Sequence, residues 1–249
     1  MSTRFAAVAL LAAVAIFDGS RSDGPVYRSI VAVDLEGSTT RTNPVKGELR
    51  RIMYDLLDHS LKAVAITGNH LEQLTDRGDG VMVLIRPHDD VPKTILLDRL
   101  IPLLTRLLAE YNAQTAQSAL RMRLRAVVHA GEVHADSRGF YGEAIDVAIR
   151  LLDALPVKRA LRQSTSPLVL VVSDEIHSGI VCHGYVDSDT YRPLVRVRVA
   201  NRNHRGWVHI PDPGTFPAAS ADAGQRSMGA RRPPPLAVAD ELAWLRRAG

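Results

Sequence analysis

The sequence predicts an α/β (α+β) domain, a mixed sheet with helices on one face, and three observations carry that expectation. Short β-branched runs alternate with two long stretches of helical periodicity. A Gly-Asp-Gly turn signal lies between two β-α-β passes, which suggests a hairpin in the middle of the sheet. Residues 1–26 and 212–249 differ in composition from the span 27–211, which marks that span as the folded domain.

The whole-chain numbers agree. Of 249 residues, 46% are hydrophobic and 23% charged, as in one soluble domain with tails. A net charge of +4 and a pI of 9.4 come without a Lys/Arg run or interleaved aromatic and basic residues, so nucleic acid is not an expected partner. One cysteine, Cys182, excludes an internal disulfide and any CxxC metal spacing, and a reducing cytoplasm is the simplest home. Phe5 to Phe17 is apolar, follows Arg4, and is too short to span a bilayer comfortably, so membrane is not an expected partner. It reads as a membrane-associating segment, an export signal without a clean cleavage site, or a tail that packs on the domain or is not translated.

The elements follow in order. After a Gly/Ser/Asp/Pro linker, Tyr27 to Val33 reads as a buried strand. From Pro44 to Thr67 apolar residues recur at Leu49, Ile52, Met53, Leu56, Leu57 and Leu61, with Gly68-Asn69 as the stop. Leu71–Thr75 and Val81–Ile85 read as strands joined through Asp76-Arg77-Gly78-Asp79-Gly80. A helix over about Lys93 to Gln114 precedes a strand from Met122 to His129 and a helix from Gly142 to Ala154. Leu168–Val172, a short helix after Ser173-Asp174, and strands near Leu194–Val199 and Trp207–Ile210 close the domain. Residues 211–235 are rich in Pro, Gly, Ala and Ser, and read as a disordered linker before a short helix over Leu236 to Arg247.

Asp34 falls where the first strand ends, before a small-residue turn. A carboxylate there can hold a divalent cation beside phosphates whose oxygens face turn amides. Asp79 lies in the hairpin turn. If the first strand runs beside that hairpin, the two acids converge at one edge of the sheet and can clamp a pair of cations. Each acid alone reads as well as turn chemistry. Asp146 and Arg150 stand at i and i+4 on one helix face, as an ion pair or as a pair aimed at a substrate.

Together these segments resemble the catalytic domain of class III nucleotide cyclases over roughly residues 27–210. The motifs stand as Val33-Asp34-Leu35-Glu36-Gly37-Ser38-Thr39, Arg77-Gly78-Asp79-Gly80, His129-Ala130-Gly131-Glu132-Val133, and Tyr141-Gly142 followed by Ala148 and Arg150. The resemblance implies a ferredoxin-like core within the mixed sheet, flanked by helices. It also implies two Mg²⁺ or Mn²⁺ ions held by Asp34, Asp79 and the Leu35 carbonyl, which activate a ribose 3′-hydroxyl for in-line attack on the α-phosphate. Arg150 would stabilise the charge that develops in that transition state. Metal ligands from one subunit and the arginine from another imply a homodimer with sites at its interface.

Three positions depart from the purine-reading pattern of that family. Thr75 stands where a base-reading lysine is usual, Gly139 where an acid is usual, and Asp146 where an asparagine orients the ribose. Asp146 loses that residue's donor and adds charge, which leaves lost activity open; it could also pair with Arg150 in the empty site. Thr75, Arg77 and Asp79 would share a face if the strand continues, and Arg77 could then reach a base carbonyl. Its other reading is an exposed charge beside the turn. Arg196, Arg198, Arg202 and Arg205 are candidates for the family's later phosphate-binding lysine.

A compact cyclase domain without purine-reading residues resembles the pyrimidine cyclases of bacterial antiphage (Pycsar) signalling. The expected activity is therefore formation of cyclic UMP or cyclic CMP from a nucleoside triphosphate, with UTP favoured. A purine cyclase with atypical base contacts, and an inactive nucleotide-binding homologue, are the alternatives.

Overall fold

A computed structural model describes residues 24–72 and 74–214. The apolar stretch 5–17, residues 215–235 of the expected linker and the expected C-terminal helix lie outside the described residues. Strand β1 (Val26–Leu35) leads through a turn into helix α1 (Asn43–Ala63). Strands β2 (Thr75–Asp76) and β3 (Gly80–Ile85) form the hairpin, followed by α2 (Ile101–Gln114) and a long β4 (Leu124–Asp136). Next come β5 (Gly139–Tyr141), α3 (Glu143–Leu152), α4 (Leu155–Gln163), β6 (Leu168–Ser173), α5 (Asp174–Gly179), β7 (Arg192–Val199) and β8 (Arg202–His209).

The sheet order is β2-β3-β1-β4-β6-β8-β7, with β5 paired to β4 alone. β1 is antiparallel to both β3 and β4, whereas β4 and β6 run parallel. Strands β2, β3, β1 and β4 with helices α1 and α2 therefore form a ferredoxin-like core, and the sheet as a whole is mixed.

Helices cover both faces of this sheet, not one as expected. Val31, Val33 and Leu35 of β1 pack in one core with residues of α1 and α2 such as Leu56, Leu57, Leu103 and Leu104. Ile30 and Ala32, on the other side of the strand, pack in a second core with Ile145, Ala148 and Leu151 of α3 and Leu161 of α4. The cause is in the sequence: residues 30–33 are apolar at both strand parities and at most 1% exposed. Gly131 permits this second layer, since a Cβ there would lie 2.9 Å from the Ala144 Cβ.

Two helices depart from their expected limits for identifiable reasons. α1 stops at Ala63, before Gly68, because Ile66 N–H reaches Leu61 C=O (2.9 Å) and Ala65 N–H reaches Lys62 C=O (3.0 Å). That is a Schellman closure with Ala65 at φ 62°, and the buried Ile66 anchors it. Ahead of α2, residues Leu96–Leu100 form a π-turn just before Pro102, which has no N–H to continue an α-helical ladder.

At the far end of β1, the buried Glu72 carboxylate accepts from Arg28 (2.8 Å) and Arg86 (2.7 Å). Burial raises its pKa, but the hydrogen bonds from Arg86 and Arg28 outweigh that and lower it overall. This triad ties the start of β1 to the segment before β2 and the end of β3. No helix among the described residues is long and apolar enough to cross a membrane.

Candidate active site

Asp34 and Asp79 do converge, at the C-terminal end of β1 and not at an edge of the sheet. In the antiparallel register Asp34 faces Gly80, and Leu35 N–H donates to the Asp79 carbonyl at 3.0 Å. The approach depends on Gly80, because a Cβ there would sit 2.6 Å from the Val33 carbonyl oxygen. The hairpin turn itself uses Gly78 at φ 81°, closed by Arg77 N–H to Gly80 C=O at 3.0 Å.

A cleft of about 310 Å³ opens between these acids, within the size range of small-molecule sites. Asp34, Leu35, Gly37, Ser38, Asp79, Arg125 and Lys158 are among the residues that line it. Ser38, 7% exposed, donates its hydroxyl to Asp79 Oδ2 at 2.5 Å. Gly37 adopts φ 69°, which turns the chain from β1 into the Ser38–Thr40 turn.

Arg125 is the functional candidate that sequence reasoning missed. It stands opposite Asp34 in the β1–β4 register and forms an ion pair with Asp34 Oδ2. Burial lowers its pKa, the expected direction for a cation removed from water. Its signal was present, a cation in a largely apolar strand, but which strand it faced required the register. Lys158, on the unexpected helix α4, enters the cleft beside Asp153 at 3.2 Å.

The donor set fits a divalent cation. Asp34 Oδ2 is buried and, although ion-paired, accepts no well-formed hydrogen bond, and Asp79 faces the same space. Two carboxylates and a carbonyl are hard oxygen donors of the kind Mg²⁺ and Mn²⁺ take. No cluster of three or more His, Cys, Asp or Glu side chains suited to a metal occurs among the described residues. Further ligands would thus be waters or phosphates, as is usual for Mg²⁺ at nucleotide sites.

Thr75, Gly139, Asp146 and Arg150 do not line this cleft. Thr75 is exposed on β2, and Gly139 is exposed at the β4–β5 turn with φ 141°. Asp146 and Arg150 are exposed on α3, and no ion pair joins them. The expected shared face of Thr75, Arg77 and Asp79 is not formed, because β2 ends at Asp76 and the turn at Gly78 breaks the alternation. Arg77 lines the cleft, and among the described residues its guanidinium has no hydrogen-bond or ion-pair partner. None of the later arginines lines the cleft: Arg202 pairs with Glu143, Arg205 lies 3.5 Å from Asp174, and Arg196 stands opposite Arg205.

Further along β4, His129 of the His-Ala-Gly-Glu motif is buried, with Nδ1 3.3 Å from Glu175 Oε2. That close approach of His129, acting against burial, brings the Glu175 pKa down to about 2. The pair joins β4 to the first turn of α5.

No family model matches the chain, and no curated protein does. Solved structures match it in shape. The adenylate/guanylate cyclase/hydrolase from Silicibacter pomeroyi superposes with a TM-score of 0.55 at 18% identity, over 76% of this chain and 99% of that one. A bacterial light-regulated adenylyl cyclase gives 0.51 at 15% identity, over 76% of this chain and 53% of that one. The dimeric guanylyl cyclase domain of the RhoGC fusion protein from the aquatic fungus Blastocladiella emersonii gives 0.50 at 12%, over 75% and 97%. At these identities the likeness is one of fold: the described domain has the class III nucleotide cyclase fold.

Proposed function

We propose that this chain is a metal-dependent nucleotide cyclase. In this reading it converts a pyrimidine ribonucleoside triphosphate, UTP before CTP, into its 3′,5′-cyclic monophosphate, a second messenger in antiphage signalling. The observation that carries the proposal is the convergence of Asp34, Asp79 and Arg125 on one cleft in a domain of cyclase fold.

In this reading Asp34, Asp79 and the Leu35 carbonyl hold the cations. When bound, those ions would neutralise the triphosphate and lower the pKa of the attacking 3′-hydroxyl. Arg125 is part-buried beside Asp34 and would hold a positive charge near the phosphate oxygens. Arg150 is exposed and does not line its own chain's cleft, which suits an arginine that serves the cleft of a second copy. Such a site stabilises the developing charge only when two chains associate.

Base choice rests on what the domain lacks. Thr75 cannot supply the lysine's charge, and Gly139 has no side chain to accept from a purine. Arg77, with an unengaged guanidinium at the cleft, supplies donors for a uracil carbonyl. A purine substrate is the second reading, favoured by the adenylyl and guanylyl cyclases that share the fold.

The test is incubation of the full chain with Mn²⁺ or Mg²⁺ and each of the four ribonucleoside triphosphates, with products identified by mass spectrometry. Cyclic UMP or cyclic CMP alone is expected. A cyclic purine product overturns the base assignment, and binding without any product overturns the catalytic one.

A further inference from the structure

The hairpin that carries Asp79 is bonded to β1 by the Leu35 amide, but its outer strand is short. β2 is two residues long and exposed, and Arg77, Gly78 and Asp79 are exposed too. On its helix side, a second cleft of about 310 Å³, lined by Lys46, Gly47, Arg50, Gly78 and Asp79, separates the turn from α1. One side chain crosses that gap. Arg50 donates to both carboxylate oxygens of Asp76 (2.6 Å to Oδ1) and to the Gly78 carbonyl. Its other contacts hold it in place: it lies over the Tyr54 ring, 4.9 Å from the centroid, and donates to the Tyr54 hydroxyl at 3.3 Å. Asp76 in turn accepts from Gly78 N–H at 2.7 Å, so the fork closes around the peptide immediately before Asp79.

We propose that Arg50 is a positioning residue for the metal site: it fixes the 76–80 turn so that Asp79 is held against Asp34, and thereby sets cation affinity. The proposal rests on the two-acid reading of the cleft. A planar fork that satisfies a carboxylate and a carbonyl at once is specific to arginine, and lysine supplies only a point charge. Residues that orient a metal ligand without touching the metal typically change affinity roughly 10- to 100-fold when removed.

The experiment titrates Mn²⁺ with inorganic tripolyphosphate, which supplies phosphate ligands but no base. Binding to the full chain is followed by electron paramagnetic resonance, with amide hydrogen exchange measured over residues 76–80. Wild type should bind, and Asp79→Ala should lose binding. Arg50→Met should bind at least about tenfold more weakly at an unchanged melting temperature, with faster exchange across the turn. Arg50→Lys should recover part of the loss. A folded Arg50→Met protein with wild-type affinity overturns the role of Arg50 while the metal reading stands. Equal binding by wild type and Asp79→Ala overturns the metal reading and this proposal with it. If Arg50→Met does not fold, Asp76→Asn loosens the other half of the clamp: weakened binding supports the proposal, and wild-type affinity overturns it.

Discussion

Leu35 donates its amide hydrogen to the carbonyl of Asp79 at 3.0 Å, so the end of β1 and the hairpin turn are hydrogen-bonded into one unit. The two acids are thus held by backbone, and that backbone contact needs a glycine at position 80. Gly80→Ala would place a methyl 2.6 Å from the Val33 carbonyl and push the strands apart. A stability loss of about 1–3 kcal/mol is expected in urea unfolding. Wild-type stability would contradict the close approach.

Ser38 supplies the second contact, a hydroxyl hydrogen bond to the Asp79 carboxylate. Hydrogen bonds to charged groups contribute about 1.5–3 kcal/mol. Ser38→Ala should therefore leave Asp79 freer to swing and weaken Mn²⁺ binding roughly tenfold. A calorimetric titration checks this, and unchanged affinity would mean that Ser38 only fills space.

Arg125 should separate metal binding from phosphate binding. Its ion pair with Asp34 competes with a cation for the same oxygen. Arg125→Met should thus strengthen Mn²⁺ binding in the absence of nucleotide, while triphosphate binding and turnover fall by about tenfold or more. Parallel loss of both affinities in a folded variant would show that Arg125 acts only through structure.

The His129–Glu175 pair makes a pH prediction. The carboxyl has an ordinary pKa of 4.5 and is held at about 2 in the folded chain, chiefly by the adjacent His129. Folding favours the deprotonated form, so the stabilisation is complete above about pH 4.5 and is lost as pH falls toward about 2. Wild type should therefore be more stable than Glu175→Gln at pH 6, and the gap should close between pH 4.5 and 2. A gap independent of pH would contradict the coupling.

The sequence made the acids legible because each sits in a local turn motif, and β1–β3 pairing was enough to bring them together. Arg125 was hidden because its partner depends on long-range register: only the pairing of β1 with β4 sets it opposite Asp34. Helix α4 was also hidden, although Pro156 at its first turn and buried Val157, Ala160 and Leu161 carry a helical spacing. The expected single helical layer failed where β1 itself was informative, since a strand apolar at both parities needs cover on both faces. The shared face for Thr75, Arg77 and Asp79 failed because β2 ends at Asp76, before Arg77, and the turn at Gly78 breaks the alternation.

The central claim, that Asp34 and Asp79 of one chain act with Arg150 of another, is tested most directly by complementation. Asp34→Ala and Arg150→Ala proteins, each inactive, are mixed under conditions of demonstrated subunit exchange, and cyclic nucleotide formation is measured. Mixed dimers contain one cleft with both acids and a facing arginine, so activity should return to a fraction of the wild-type rate. Exchange without any recovered product would contradict the shared site.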